Sequence, residues 1–234
     1  MHNELVDIGV DALGNKIPPI VFGWNQLPQR HQEGYSLGSY FAAPIVSYAD
    51  ANNDGLLSRY EVVVDADTVQ FLGNPFPKRE LSASTKVSFR DWLTVSALLD
   101  HQGGRQLFNY TEAVRCDLGT DNCAALYDPN TPLDKQAAIV ALRAYGSAAG
   151  FVENADFTKL REVTVQLAVP RRYANMVGFS GLNLTLAGRN LKTWTKYTGL
   201  DPELNSSGGT NFTTAELGTL PANRVFVIRF DANF

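Results

Sequence analysis

The sequence is poor in the residues that build metal centres and redox frameworks. Two cysteines and three histidines are scattered through 234 residues. The histidines, His2, His31 and His101, stand far apart. Two cysteines fall short of the four ligands that a structural zinc site takes. No nucleophile elbow and no phosphate-cradling loop is present, so no catalytic constellation is legible and the chain does not read as an enzyme. No run of about 18 apolar residues occurs, which excludes a transmembrane helix. The opening stretch, MHNELVDIGVDALGNK, has neither the basic nor the apolar segment of an export signal. Basic residues are outnumbered: 20 Lys and Arg against 24 Asp and Glu give a net charge of −4. That balance argues against nucleic acid as a partner.

None of these absences excludes a membrane. A barrel strand needs only about ten residues of alternating polarity. Such strands leave mean hydropathy close to that of a water-soluble protein. The value here, −0.14, does not separate a soluble β protein from an outer-membrane one.

What the sequence does have is alternation. In NRVFVIRFDANF, Phe226, Ile228, Phe230, Ala232 and Phe234 fall on one side, and Val225, Val227, Arg229, Asp231 and Asn233 on the other. A period of two is that of a strand with one apolar side. It runs here to an aromatic final residue. REVTVQLAVP sets Val163, Val165, Leu167 and Val169 against Glu162, Thr164, Gln166 and Ala168. GLNLTLAGRNLKTW sets Leu182, Leu184 and Leu186 against Asn183, Thr185 and Ala187. RELSASTKVSF alternates in the same way. WLTVSALLDHQ follows it after a tight turn near Arg90 and Asp91, with Leu93, Val95, Ala97 and Leu99 in step.

The connections alternate short and long. RD is very short and RRYANMVGFS is moderate, whereas residues 103–156 and YTGLDPELNSSGGTNFTTAELGTLPA are long. Long structureless loops are uncommon inside a compact soluble domain. In an outer-membrane barrel they are expected, with short turns toward the periplasm and long loops outside. One short loop helix is predicted: Thr131 caps it, Pro132 suits its first turn, and QAAIVALRAY continues it to Gly146. Between Cys116 and Cys123 lie six residues, all but Leu118 polar or small, with Gly119 allowing a turn. A small-loop disulfide facing an oxidising compartment is the preferred reading; two unconnected thiols are the alternative.

Residues 50–61 read DANNDGLLSRYE. They fill every defined position of the EF-hand loop template. Asp50, Asn52 and Asp54 offer hard oxygens, Gly55 permits the sharp turn, Leu56 offers a carbonyl and Glu61 a bidentate carboxylate. A structural Ca²⁺ is the expected occupant, and an Asx- and Gly-rich turn without an ion is the alternative. Neither flank reads as helical, since GSYFAAPIVSYA carries Pro44 and VVVDADTVQF is β-branched. A helix–loop–helix sensor is therefore not expected.

Several segments together resemble the C-terminal part of SusC/RagA-type TonB-dependent outer-membrane transporters. EGYSLGSYFAA, DANNDG and LGNPFPKRELSASTKVSFRDWLTVSALLDHQGG follow one another as in that family. The most specific likeness is LREVTVQLAVP followed by LTLAGRNLKTWTKYTGLDPE. It contains Gly188-Arg189-Asn190-Leu191, Trp194-Thr195 and Gly199-Leu200-Asp201-Pro202-Glu203. The ending, with Phe226, Ile228, Phe230 and Phe234, is similar to the signal by which such barrels reach the outer-membrane barrel-assembly machinery.

The resemblance covers roughly residues 31–234. It implies an all-β fold: an antiparallel transmembrane β-barrel segment supplying the last strands of an about 22-stranded barrel, with long extracellular loops and a periplasmic C-terminus. Residues 1–77 would hold barrel strands and the extracellular Asp/Asn/Gly loop, and 78–234 the C-terminal strands. No plug domain is recognisable, so the chain reads as a C-terminal fragment of a nutrient importer. By resemblance, the parent takes up oligosaccharides or peptides. Its implied partners are a SusD-like surface lipoprotein, the TonB complex and outer-membrane lipid. Tyr110, Tyr127 and Tyr145 are candidate cargo contacts from their place in a long loop. The rival reading is a soluble, secreted β-sandwich that binds carbohydrate or mediates adhesion, with a structural calcium.

Overall fold

The computed structural model describes residues 3–24, 27–118, 122–207 and 212–234. His2 and Gly119 lie outside the described residues. In chain order, β1 (Ile20–Trp24), β2 (Leu27–His31), β3 (Ser39–Ala42), β4 (Ile45–Tyr48), β5 (Val62–Val64) and β6 (Gln70–Gly73) precede a long hairpin, β7 (Arg79–Phe89) and β8 (Leu93–Gly103). Then come β9 (Gln106–Phe108), α1 (Tyr110–Asp117), α2 (Leu133–Tyr145) and β10 (Val152–Asn154). Last are β11 (Phe157–Val169), α3 (Arg171–Met176), β12 (Gly181–Thr195) and β13 (Val225–Asn233). These elements form two compact units.

One unit comprises Arg79–Gly103, Phe157–Thr195 and Pro221–Phe234. Its five long strands form one antiparallel meander in the order β13-β12-β11-β8-β7. They run from 9 to 15 residues; a tilted membrane-crossing strand takes about 9–11. Cross-strand partners share a face, so the registers line side chains up in rows. Phe89, Leu93, Leu167, Leu184 and Phe230 make one row, and Val87, Val95, Val165, Leu186 and Ile228 the next. The row between them, on the opposite face, is Ser88, Thr94, Gln166, Thr185 and Arg229. Phe230, Ile228 and Val87 remain 70%, 67% and 62% exposed. A β-sandwich would seal such rows between two sheets; here they stand uncovered.

A bulge keeps the apolar rows on one side. Pairing slips between Leu160 and Glu162 on β11, where Asn190 and Leu191 of β12 oppose the single Arg161. One extra residue reverses which side chains face which side. Against β8, Arg161 is itself the extra residue, since Glu162 pairs with Leu98 and Leu160 with Leu99; the apolar positions of β11 thereby pass from the odd Val163, Val165 and Leu167 to the even Leu160. Asn190 takes the left-handed backbone that the bulge needs, φ 53°, a conformation asparagine tolerates better than most residues. Its Nδ2 donates to the Asn223 carbonyl at 3.0 Å.

The registers also sort the connections. Arg79 pairs with Gly103, Gln102 with Phe157, and Phe157 with Thr195. The long connections therefore leave one end of the sheet. The turns at 90–92 and 170–180 and the C-terminal end of β13 lie at the other.

The second unit comprises Met1–Lys78, Gly104–Asp156 and Lys196–Leu220. Its strands form a four-stranded sheet, β1-β2-β3-β6, and two two-stranded sheets, the hairpin β4-β5 and the pair β9-β10. None of these strands exceeds five residues, so membrane-length strands are absent from the described part of 1–77. The sequence-based boundary at 77/78 falls beside the Lys78/Arg79 break, but the rest of this unit comes from farther along the chain. Tyr40, Phe108, Ile139, Leu142 and Phe151 form its core with Cys116 and Cys123. The alanines of α2 let neighbours approach closely: a Cβ added to Gly150 would lie 2.3 Å from the Ala138 Cβ.

Two corrections concern the helices. The sequence predicts one, and the described residues contain three α-helices. α1 is capped by the Asn109 side chain, which accepts from the Glu112 N–H at 3.1 Å, whereas the short α3 bridges β11 and β12. Thr131 is not the cap of α2. Pro132 holds that position without a side-chain bond, and the Thr131 carbonyl accepts from Gln136 Nε2 at 2.8 Å. The C-terminal end is as read, with Gly146 left-handed at φ 68°.

The bulge yields a prediction. Asn190→Ala should cost about 1 kcal/mol through left-handed backbone strain, and Asn190→Gly less. The denaturant midpoint of the folded chain measures both.

Candidate functional site

The Asp50–Glu61 loop is the tip of the β4-β5 hairpin, with Tyr48 paired to Val62. Both flanks are strands, so no helix–loop–helix is built. Asn53 and Gly55 adopt left-handed backbone, φ 59° and 84°, and fold the chain back on itself. Asp50 accepts from the N–H of Asp54 at 3.2 Å and of Gly55 at 2.9 Å. Asn52 Oδ1 accepts from the Asp54 N–H, and Asp54 Oδ1 from the Leu56 N–H. Glu61 accepts from the N–H groups of Ala51 and Ser58 at 2.8 and 2.9 Å. Hydrogen bonds from Ser58 above all, then Ala51, hold the Glu61 carboxyl below its usual range. Among the described residues, no three His, Cys, Asp or Glu side chains converge as a metal-holding group. Each carboxylate offers about four lone-pair directions, so acceptor capacity remains beside the backbone bonds.

The helical part of the same unit grips this loop from outside. Gln136 is fully buried on α2. Its Nε2 donates to the Gly55 carbonyl at 3.0 Å, and its Oε1 accepts from the Leu57 N–H at 2.8 Å. Pro129 closes over Gly55, where a Cβ would lie 2.4 Å from the proline Cβ. Tyr145, at the other end of α2, donates toward the carbonyls of Arg59 and Val62. The Tyr145 hydroxyl is thereby engaged with the hairpin. Tyr110 stacks on Phe108 at 4.9 Å, and Tyr127 is exposed. Cys116 and Cys123 are joined by a disulfide at the end of α1.

The Gly199–Glu203 motif lies in a buried polar cluster of this unit. Glu216 is inaccessible to solvent. It accepts from Thr111 Oγ1 at 2.6 Å, from the Leu200 N–H at 3.3 Å and from the Tyr197 hydroxyl at 3.4 Å. Gly199 has no room for a side chain: a Cβ would lie 2.5 Å from the Tyr197 ring and 2.6 Å from Glu216 Oε2. Burial pushes the Tyr197 hydroxyl pKa upward, and the Glu216 and Glu153 carboxylates add to it. Tyr40, bonded to Thr214, is pushed up to about 12, chiefly by burial. Burial also lowers the Arg105 guanidinium, against the pull of Tyr40, Glu203, Tyr197 and Asp156. Asp201 and Pro202 are buried, with Asp201 accepting from the Glu203 N–H at 2.9 Å. Glu153 accepts from Asn109 and from both donors of Thr198. The cluster ties loop segments together and pairs no exposed nucleophile with a base.

Beside it, Glu112, Arg115, Lys135, Ile139, Phe151 and Thr198 are among the residues lining a cavity of about 490 Å³. Sequence reasoning missed Gln136, Tyr197 and Glu216, because each acts on residues tens of positions away and leaves no local pattern.

In the sheet, Gly188 faces Phe226 across the β12-β13 ladder. A Cβ there would meet Leu191 at 2.8 Å and the Phe226 ring at 3.4 Å. Arg189 Nε donates to Glu162 at 2.8 Å, and Arg161 Nε to Asp100 at 2.7 Å. The Gly188–Leu191 motif is thus the bulge and its neighbours. Phe226, Ile228 and Phe230 stand on the exposed apolar face. β13 ends at Asn233, one residue before Phe234, whose ring centroid lies 5.1 Å from that of Phe179.

No protein-family model matches the chain. Its sequence is 20% identical over 194 residues to TonB-dependent receptor P3 of Formosa agariphila, covering 80% of this chain and 19% of that protein. Among solved structures, it is similar to the RagAB peptide importer in its closed-closed state, with TM-score 0.58, 18% identity and coverage of 91% of this chain. It is also similar to the RagAB peptide transporter, with TM-score 0.62, 16% identity and coverage of 97%. The chain spans 25% of each of those two chains. The fold is thus mostly β with a few helices, similar to the RagA barrel. In sequence and fold together, the chain resembles part of a SusC/RagA-type TonB-dependent transporter.

Gly199→Ala should destabilise the loop unit by about 1–3 kcal/mol through overpacking. Thermal unfolding, followed by aromatic fluorescence near Tyr197, measures the loss.

Proposed function

We propose that the chain forms the C-terminal strands and loops of the barrel of an outer-membrane nutrient importer driven through TonB. The uncovered apolar face, in register across five strands and backed by a polar face, carries this reading. Lipid covers such a face without a second protein layer, while the opposite face meets an aqueous lumen. The sheet keeps two edge strands, β7 and β13, and further strands of an about 22-stranded barrel would pair with them. The chain then acts as one portion of a longer transporter, with a plug and TonB contact supplied elsewhere in it. The end bearing the long connections faces outward, and the C-terminus faces the periplasm. Phe226, Ile228, Phe230 and Phe234 serve the barrel-assembly machinery.

A SusD-like lipoprotein covers the mouth, and the cargo is an oligosaccharide or a peptide. The similar solved structures bear the name of a peptide importer, which favours the second. The disulfide suits the oxidising exterior. The rival secreted sandwich would need a second layer over the apolar rows.

Replacing Leu186 by Arg puts a charge on the lipid side in mid-strand, at a cost of about 2–4 kcal/mol. Thr185→Arg, one residue away on the polar side, should insert nearly as well as the parent. Outer-membrane fractionation with urea extraction distinguishes them. Equal insertion of both variants would remove the barrel reading.

We further assign the Asp50–Glu61 loop a structural Ca²⁺ held by Asp50, Asn52, Asp54, the Leu56 carbonyl and Glu61. Its hard oxygen donors and the steric fit at Gly55 support this. Titration calorimetry with CaCl₂ should give binding heat that Glu61→Gln greatly reduces; absence of heat in the parent removes calcium.

A further inference from the structure

We propose that the short-turn end of the five-stranded sheet binds the phosphate headgroups of an anionic phospholipid leaflet. The inference rests on the barrel reading and names a lipid partner for one end of it. The turn at 90–92 and the turn at 170–180 lie side by side, joined by the Ala168 N–H donating to the Trp92 carbonyl at 2.8 Å. Together they carry Arg90, Arg171 and Arg172 against one carboxylate, Asp91, in a chain whose net charge is −4. Among the described residues, none of these arginines is ion-paired. Three arginines farther along the strands differ: Arg161 pairs with Asp100, Arg189 with Glu162 and Arg229 with Asp231.

Two of these arginines are held in place by aromatic neighbours. The Arg90 guanidinium lies 5.4 Å from the Phe89 ring centroid, and that of Arg172 lies 4.4 Å from the Tyr173 centroid. Arg172 also donates to the Tyr173 hydroxyl at 2.7 Å. Stacking occupies the face of a guanidinium and leaves edge donors for a phosphate. Arg90 sits at φ 48°, where glycine would relieve the backbone. The strained turn thus presents a cation.

Apolar groups share this end. Met176 and Val177, at the tip of the longer turn, are 80% and 62% exposed. Tyr173, Trp92 and Phe234 are also exposed. Just inside the turns runs the apolar row from Phe89 to Phe230. Successive strand residues advance about 3.3 Å, so the arginines fall at headgroup depth when that row contacts acyl chains. Aromatic and long cationic side chains favour that boundary.

The test folds the full chain into vesicles of phosphatidylcholine alone or with phosphatidylglycerol, with β-sheet circular dichroism as the check on folding. The parent should partition on the order of 100-fold more strongly with phosphatidylglycerol. The variant R90Q/R171Q/R172Q should retain parental behaviour in phosphatidylcholine and lose most of that preference. A variant that keeps the preference, or a parent without one, overturns the proposal while leaving the barrel reading intact. Millimolar inorganic phosphate that abolishes the preference at constant ionic strength would point to a free-anion site and overturn the leaflet assignment.

Discussion

Cross-strand register is the constraint on which the rest of the structure depends. Five strands hold their apolar side chains in common rows, and a slip of one residue anywhere would turn a strand's greasy side inward. The bulge at Arg161 and Asn190 is where this constraint is met rather than broken. The apolar positions of β11 change parity there, and the extra residue restores them to the common side. The Gly188-Arg189-Asn190-Leu191 motif thus has a mechanical reading. A glycine makes room for Leu191 and Phe226, a charged residue reaches Glu162, and an asparagine accepts the left-handed turn.

The second unit follows another logic. Its strands are short and its loops long, so helix packing, a disulfide and buried hydrogen bonds hold it together. Gln136 satisfies three backbone groups of the segments around the Asp50–Glu61 loop and α2. Glu216 binds the segments carrying Thr111, Tyr197 and Leu200. A buried carboxylate without partners would be costly; with them it fixes loop positions. Connections that would otherwise cost much conformational entropy are thereby held in defined positions.

The five long strands were legible because period two survives in sequence wherever one face is apolar and the other polar. Even the turn at Arg90 and Asp91 was visible. The disulfide was the preferred of two readings from spacing and composition. The bulge was not legible as such: LREV reads as continuous alternation gone wrong until the partner strand is seen. α1 was hidden by its brevity, and the clamps by distance along the chain, since neither Gln136 nor Glu216 differs in type from a surface residue. Tyr145 shows the limit of reading role from location. Its place in a long loop gave no sign that its hydroxyl closes a hairpin.

If one face of the sheet meets lipid and the other water, the two sets of side chains differ in what reaches them. Single spin labels at each position from 182 to 188, in the chain folded into a bilayer, test this most directly. Collision with lipid-soluble oxygen should peak at 182, 184 and 186, and collision with an aqueous nickel chelate at 183, 185 and 187. Equal exposure of both sets to the aqueous reagent, with no alternation in oxygen accessibility, would contradict the account.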